Sequence, residues 1–222
     1  MKFLLISVFT LWSFISFSQD RDETNISIET QFQLFNSSGE SNNNLKIRYH
    51  FNDKHVLRTN WTFSFASIKN EILETDGDGV GTIESIGASH NISLGYERHF
   101  NYDKMSPYLG TSIGYGFGND SEYGSRTDGS TFINDFNYSQ EQKISSVSID
   151  VFSGFDFNIY KGLYLGTEIG LRFVNSKIHR GELKTEDASS TTDATTITSI
   201  PEQKSSTLSL VNMGVVRVGW KF

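Results

Sequence analysis

The chain has 222 residues, enough for one domain, with 19 Lys and Arg against 26 Asp and Glu and a net charge of −7. This acidic balance argues against nucleic acid as a partner, and the absence of cysteine excludes a disulfide-stabilised fold. The hydrophobic fraction of 36% is low even for a soluble protein. It is still compatible with a membrane protein built from strands, because such strands need apolar residues only at every second position.

The first 18 residues have the parts of a secretory signal peptide. Lys2 gives a positive start, Phe3 to Phe17 form an apolar run, and small residues follow. We therefore predict a signal peptide over 1–18 and a mature domain over 19–222. A transmembrane anchor is the alternative, but the apolar run is shorter than the roughly 20 residues that span a bilayer.

The rest of the sequence alternates between segments of period two and polar connections. Successive side chains of a strand point to opposite faces, so these segments predict strands with one apolar and one polar face. The predicted strands cover 25–35, 45–51, 56–66, 85–100, 107–117, 144–159, 163–173 and 208–222.

The connections between these strands alternate in length. Those near Asn52, Asn101 and Tyr160 are short, and the four others are long and polar. Short periplasmic turns and long extracellular loops are typical of an eight-stranded antiparallel up-and-down transmembrane β-barrel, which is the fold we predict. A soluble exported β-sandwich or lipocalin-like barrel is the alternative, but it would bury the apolar faces.

Residues 107–118, PYLGTSIGYGFG, resemble the central strand of the small outer-membrane β-barrel proteins, the porin-family or OmpA/OmpX-like barrel domain. Residues 163–171, LYLGTEIGL, repeat the pattern, and Trp220 and Phe222 are similar to that group's C-terminal assembly signal. The resemblance covers 24–222. It implies a location in the bacterial outer membrane and contact with the barrel-assembly machinery.

If the apolar faces contact lipid, the opposite faces fill the barrel. An eight-stranded barrel has an interior just wide enough for side chains, and charges removed from water must be paired. We expect a closed, salt-bridged interior, with a narrow conduit for ions or solutes as the alternative. The predicted interior charges, five basic and five acidic, are Glu29, Lys46, Arg48, Arg58, Glu97, Asp150, Asp156, Glu168, Arg172 and Arg217.

Aromatic residues fall near both ends of the predicted strands, as the two interfacial belts of a membrane barrel would. Simple β-propensity of aromatic residues is the alternative explanation. The predicted periplasmic belt consists of Phe51, Tyr96, Phe100, Phe157, Tyr160, Trp220 and Phe222. The predicted outer belt consists of Phe32, Phe63, Phe65, Tyr115, Phe117 and Phe173.

Sites for metal or catalysis are weakly supported. Glu74, Asp76 and Asp78 begin like a calcium loop, with Asp76 and Asp78 as the weak metal candidates. The twelfth position counted from Glu74 is Ser85 rather than Glu and no helices flank it, so a solvated loop is the default. No HExxH pair, nucleophile elbow or phosphate-cradling loop occurs. We therefore predict no catalytic residues, no cofactor and no enzyme.

The predicted role is a non-enzymatic scaffold that displays four extracellular loops for envelope integrity, adhesion or surface interaction. Expected partners are outer-membrane lipid or lipopolysaccharide and the assembly machinery, with the protein as a monomer. A narrow passive porin-like channel is the alternative, and a soluble exported binding protein is the second alternative.

Overall fold

A computed structural model of the protein describes residues 25–33, 43–73, 80–100, 102, 104–126, 136–187, 195–211 and 215–222. The predicted signal peptide and the calcium candidates Asp76 and Asp78 lie outside these residues. Within the described ranges, no helix is long and apolar enough to cross a membrane.

The described residues form eleven strands, and every pairing between them is antiparallel. The strands are β1 (Ile26–Gln33), β2 (Asn43–Asn52), β3 (His55–Leu73), β4 (Val80–His99), β5 (Met105–Arg126), β6 (Phe136–Tyr160), β7 (Leu163–Ile178), β8 (Gly181–Asp187), β9 (Thr195–Ile200), β10 (Gln203–Val211) and β11 (Val215–Lys221).

These strands close into a ring. β1 to β7 pair in chain order, and β11 pairs with both β7 and β1. β8 continues β7 along the edge of β6, while β9, β10 and β11 follow one another along β8 and β7. The ring therefore contains eight long strands, the seventh made of β7 and β8 and the eighth of β9 to β11. The predicted eight-stranded antiparallel barrel is confirmed, and the terminal strand β11 closes it against β1.

The register fixes the tilt of the strands. Stepping from Glu29 through its partners on β2 to β6 leads to Val174 on β7, whereas stepping the other way, through Gly219, leads to Tyr164. These end points are ten residues apart on β7. With about 3.3 Å per residue and about 4.8 Å between strands, this shift gives a tilt of roughly 40°, in the range of closed barrels.

The outside of the ring is apolar. On β5, Leu109, Ile113 and Tyr115 are exposed, while the intervening Ser112 and Gly114 face inward and are buried. On β7 the outward apolar run from Leu163 to Phe173 rises about 25 Å along the barrel axis, which is the height of a membrane barrel's apolar band. A soluble sandwich would turn this face inward. The outside of this barrel is suited to lipid.

Aromatic side chains border the apolar band, as the sequence predicts. At the outer end, Trp61 lies 5.2 Å from Phe63, and His90 lies 5.3 Å from Phe117, between ring centroids. At the periplasmic end, Tyr49 contacts the ring of Phe51 edge-on at 5.1 Å. The predicted belt member Phe32 belongs to β1, but its side chain lies outside the described part of the chain.

The predicted extracellular loops are too long. β3 continues to Leu73, β5 reaches Arg126, and much of the predicted last loop forms β8, β9 and β10. The prediction was wrong there because these segments are mostly polar and lack a regular apolar period. The backbone ladder nevertheless continues, because backbone hydrogen bonds do not depend on an apolar face.

Two local features divide the last long strands. Between the pairs Ile144–Ile178 and Glu141–Glu182, β6 advances three residues and its partner four, so one extra residue forms a β-bulge. Between β9 and β10, Pro201 has no backbone N–H to donate to the ladder. The bulge and the proline account for two of the three breaks that divide eight long strands into eleven shorter ones. The third, between β10 and β11, falls at 212–214, outside the described residues.

The lipid-facing assignment predicts a depth-dependent penalty for charge. Ile169 faces outward near mid-height of the apolar band and is 50% exposed. Replacement of Ile169 by Arg is expected to lower the free energy of unfolding in lipid vesicles by about 2–4 kcal/mol, because an arginine at mid-membrane is poorly solvated. Urea titration followed by tryptophan fluorescence measures this change.

The matched control is Asn175→Arg, six residues farther along the same face and roughly 15 Å nearer the outer rim. It is expected to change the free energy of unfolding by about 0–1 kcal/mol. Equal effects of the two substitutions would contradict the membrane placement.

Candidate functional site

All ten predicted interior charges lie on inward faces of their strands, opposite the apolar outside. Eight of them lie within about 8 Å of one another along the barrel axis, as the register and the tilt place their Cα atoms. We call these eight residues the charged layer. The charged layer consists of Glu29, Lys46, Arg48, Arg58, Glu97, Asp156, Glu168 and Arg217.

Arg217 of the closing strand β11 joins three strands. Its Nη1 lies 2.8 Å from Oε2 of Glu29 on β1, and its Nη2 lies 2.8 Å from Oδ1 of Asp156 on β6. Nη2 also donates to the carbonyl of Thr167 on β7 at 3.3 Å. The side chain of Arg217 is fully buried, so these oxygens replace water around its charge.

Arg48 on β2 bonds the same two carboxylates from the other side. Its Nη1 lies 2.6 Å from Oε1 of Glu29 and 2.6 Å from Oδ2 of Asp156. Its Nε lies 3.0 Å from Oε2 of Glu97. Glu29 and Asp156 are therefore each held between Arg48 and Arg217, with one guanidinium on each carboxylate oxygen.

Glu168 on β7 is the second centre of the charged layer. Nη1 of Arg58 lies 2.7 Å from its Oε2, and Nζ of Lys46 lies 3.3 Å from the same oxygen. Arg58 also reaches Oε1 of Glu97 at 3.1 Å. Arg58 and Arg48 thus meet at Glu97, and the ion pairs form one continuous network across the interior.

Neutral side chains complete the network. Tyr108 donates its hydroxyl to Oε2 of Glu168 at 2.7 Å, and Tyr164 donates to Oε1 of Glu29 at 2.8 Å. Nε2 of His99 lies 2.9 Å from Oε2 of Glu97, and the His99 ring stacks on Tyr108 at 4.9 Å. These contacts satisfy carboxylate lone pairs that the arginines leave open.

An aromatic ring lies directly beside the charges. The guanidinium carbon of Arg58 is 3.5 Å from the ring centroid of Phe152, a close cation–π contact. Phe152 and Tyr108 are 3% and 1% exposed, and their rings meet edge-on at 6.3 Å. The space that the ion pairs leave in this layer is therefore occupied by aromatic rings.

The charged layer needs a glycine beside it. A Cβ added at Gly166 would lie 2.5 Å from Oδ1 of Asp156 and 2.6 Å from Nη2 of Arg217. A side chain at this position would displace the ion pair between these two residues. The small residues on inward faces thus make room for long charged side chains from neighbouring strands.

Asp150 and Arg172 form a separate pair about 10 Å farther toward the outer end. Nε and Nη2 of Arg172 lie 2.7 and 2.8 Å from the two carboxylate oxygens of Asp150, and Ser112 donates to Oδ2 at 3.1 Å. The Arg172 side chain is 31% exposed, unlike the charged layer. Water therefore reaches Arg172 from the outer end of the barrel, whereas the Asp150 side chain beneath it is 4% exposed.

A cavity of ≈ 350 Å³ opens below the charged layer at the periplasmic end. Its lining includes His50, His99, Asp53 and Lys221 together with the lower edges of Arg48 and Asp156. The charged layer thus separates this cavity from the outer part of the interior. Within the described ranges, no group of three or more His, Asp or Glu side chains has the arrangement of a metal site.

Trp220 and Phe222 lie at the periplasmic end of the closing strand. Trp220 pairs with Ile28 on one side and Leu163 on the other, and the N–H of Phe222 donates to the carbonyl of Ile26 at 3.0 Å. The C-terminal end of the closing strand is therefore paired with both of its neighbours, β1 and β7.

Sequence reasoning did not assign Tyr108, Tyr164 and His99 to the site. All three lie on the inward faces of their strands: His99 is two residues from Glu97 and pairs with Tyr108, and Tyr164 is two residues from Gly166. The period-two pattern alone was sufficient to find them. They were missed because the search was restricted to formally charged residues.

No protein-family model matches the chain, and no curated protein matches its sequence. Among solved structures, the chain is similar to Ail, the attachment invasion locus protein of Yersinia pestis, with a TM-score of 0.38 and 16% identity over 89% of this chain and 96% of that one. It is also similar to CarO of Acinetobacter baumannii, with a TM-score of 0.37 and 10% identity over 90% and 98% of the two chains. The description of the barrel rests on the closed strand ring and its two faces.

The charged layer and the Asp150–Arg172 pair lie at different depths, so we expect breaking their ion pairs to lower the free energy of unfolding by different amounts. Replacement of Arg217 by Met leaves Glu29 and Asp156 short of a partner in a site without water. The expected loss in free energy of unfolding is about 3–5 kcal/mol, as for other broken buried pairs. Denaturant titration in detergent micelles measures this loss.

Arg172→Met is the matched control, because it removes the same group from the partly exposed pair with Asp150. Its expected loss is smaller, about 1 kcal/mol, because Arg172 is already 31% exposed and Ser112 still donates to the remaining carboxylate. A loss as large as that of Arg217→Met would contradict the inference that water stops above the charged layer.

Proposed function

We propose that the protein is a non-enzymatic scaffold of the bacterial outer membrane whose closed barrel displays polar hairpins at the cell surface. The observation that carries the proposal is the charged layer. Four cations and four anions from seven strands fill one level of the interior, and their side chains are at most 8% exposed.

A filled layer favours a scaffold over a channel for an energetic reason. An ion on the barrel axis must displace groups that already satisfy one another. Separating such a pair leaves charges uncompensated in a dry interior, at about 3–5 kcal/mol each. An eight-stranded ring offers no second path, because its interior is only wide enough for side chains.

The hairpins beyond the apolar band supply the surface for interaction. β5 and β6 continue as a polar ladder in which Tyr123 donates to Glu141 and Tyr138 donates to Glu122. Ordered strands hold these side chains at fixed spacing, which suits recognition of another macromolecule or of surface polysaccharide. Roles in adhesion or envelope integrity both follow from such a display.

The outer membrane is the proposed location because the apolar outside and the polar hairpins suit a barrel that faces the exterior. Trp220 and Phe222 are proposed as the recognition end for the assembly machinery, and the barrel is proposed to be monomeric. Export would depend on the predicted signal peptide over 1–18. Outer-membrane lipid is the expected surrounding partner.

A narrow passive channel is the second candidate. It is favoured by the small polar residues above the charged layer, such as Ser93, Gly114 and Ser148, and by the cavity below it. Water enters from both ends, so the charged layer alone separates the two candidates. Opening of this layer would turn the scaffold into a conduit.

Conductance in planar bilayers tests the proposal. The wild-type protein is expected to remain silent at moderate voltage, because the charged layer closes the interior. The charge-neutral double variant Glu29→Ser and Arg217→Ser removes one acid and one base and is expected to produce openings. Sustained, ion-selective openings of the wild-type protein would exclude the scaffold in favour of the channel.

The control is the double variant Asp150→Ser and Arg172→Ser, which removes the pair above the charged layer and should stay silent. Slower gel migration after boiling confirms that each variant inserted as a folded barrel. Cell fractionation tests the location separately: recovery of the mature protein in the aqueous fraction would contradict it.

A further inference from the structure

We propose that three lysines on the outside of the barrel, Lys143, Lys177 and Lys204, bind the phosphate groups of a phosphorylated glycolipid in the outer leaflet. The proposal rests on the outer-membrane location proposed above and names one lipid partner. The three residues are called the lysine cluster.

The register places the lysine cluster on one surface. Lys177 lies directly opposite Lys204, and its other neighbour, Ser145, is two residues from Lys143 on the same face of β6. Lys177 and Lys204 each lie four residues from an exposed, outward-facing residue, Phe173 and Leu208 respectively, and therefore share its face of the strand. They therefore point away from the barrel interior, toward the surrounding membrane surface.

The lysine cluster lies at one height. With the tilt and rise of the strands, the three Cα atoms fall within about 3 Å of one another along the axis. Lys177 is four residues beyond Phe173, which is roughly 10 Å above the outer aromatic belt. A lysine side chain reaches about 6 Å and can extend downward, which brings its ammonium into the headgroup layer.

A pair of lysines directly opposite each other is unfavourable without a counter-ion, because like charges repel across a ladder. Here Glu202 lies between them: its Oε2 is 2.8 Å from Nζ of Lys177 and its Oε1 is 3.2 Å from Nζ of Lys204. The carboxylate of Glu202 thus holds the two ammonium groups at a spacing that a phosphate group could also bridge. The two lysines and Glu202 together carry one net positive charge.

A shallow recess of ≈ 610 Å³ lies beside this pair and is lined by Arg180, Ser199, Pro201 and Glu202. Glu141 on β6 and Glu182 on β8 are directly opposite each other. Glu141 is two residues beyond Lys143, so these carboxylates lie farther from the membrane than the lysine cluster. A phosphate approaching from the membrane therefore meets the lysine cluster first. The recess offers Arg180 as a further cation and room for a sugar.

Lipid binding to the refolded full-length protein in detergent micelles tests the proposal. The probe is bisphosphorylated lipid A, and the readout is the temperature at which the folded gel band disappears, measured over a lipid titration. Each basic residue near a charged surface contributes roughly a fivefold change in affinity. The triple variant Lys143→Gln, Lys177→Gln and Lys204→Gln is expected to bind about a hundredfold more weakly.

The matched control replaces Lys104, Lys161 and Lys184 with Gln, which removes the same charge from exposed positions. Lys184 also faces outward but lies about 15 Å farther from the membrane than Lys177. The control is expected to keep wild-type affinity. Equal losses in the two triple variants would overturn the proposal, since they would reflect net charge alone.

Two comparison lipids distinguish lipid A from other sources of phosphate. Dephosphorylated lipid A is expected to give no shift, and phosphatidylglycerol a shift at least tenfold weaker, because it offers one phosphate. Equal shifts with both phospholipid and glycolipid would overturn the choice of partner. If the protein fractionates with the outer membrane but lipid A gives no shift, this inference fails while the proposed location stands.

Replacement of Glu202 is expected to have the opposite effect on the affinity for lipid A. Glu202→Gln removes the competing carboxylate and is expected to strengthen lipid A binding about fivefold, as one freed lysine would. Unchanged or weaker binding would contradict the role given to the lysine pair, because it would mean that Glu202 itself forms the site.

The hydrogen bonds from Lys177 and Lys204 hold the pKa of Glu202 below its usual range. The carboxyl resonance in an NMR titration is therefore expected to move at lower pH than that of a free glutamate, and Lys177→Gln should raise the midpoint. Since the folded-state pKa is depressed, the bridge is present above the usual pKa of a glutamate and is lost as the pH falls through the folded value.

Discussion

The constraint on which the structure depends is charge neutrality inside a closed ring. In this barrel of eight strands, the register shift accumulated once around the ring is ten residues. A barrel of this size encloses a space that only side chains can fill. Lipid cannot enter it, and water does not reach its middle. Any long polar side chain placed there must find its counter-charge on another strand, and the four cations and four anions of the charged layer do so.

This neutrality also specifies which strands meet. Arg217 on the closing strand contacts Glu29 on the first strand and Asp156 on the sixth, so the ion pairs span the closing seam. A register slip of one residue at β11 would send Arg217 into lipid and leave both carboxylates without it. The backbone ladder alone would tolerate such a slip. The charged layer therefore determines the register as well as the filling of the barrel.

The sequence predicted the parts of this architecture that depend on period two. Glu29, Lys46 and Arg217 could be assigned to the interior because apolar residues flank each of them at odd spacing. Which charge meets which could not be predicted, since a pair such as Arg58 and Glu168 depends on the shift of the whole ring. A sequence pattern describes one strand, whereas the shift is a property of all eight.

The length of the hairpins beyond the membrane could not be predicted from the sequence pattern either. Segments such as 118–126 and 181–187 extend the ladder without an apolar face, so nothing in their composition separates strand from loop. Their order comes from continuing a ladder that the membrane-embedded part has already aligned. Loop predictions from apolar periodicity therefore stop at the edge of the lipid, even where the strands do not.

The interior is divided by depth into a lower part filled by the charged layer and a more exposed upper part. Below mid-height, the charged layer and the rings of Tyr108 and Phe152 leave little freedom, because each group satisfies several others. Above it, many inward residues are small, and the side chain of Arg172 is 31% exposed. A substitution in the upper part disturbs solvated groups and affects stability little. The charged layer thus keeps the ring closed independently of the hairpins, as the proposed scaffold role requires.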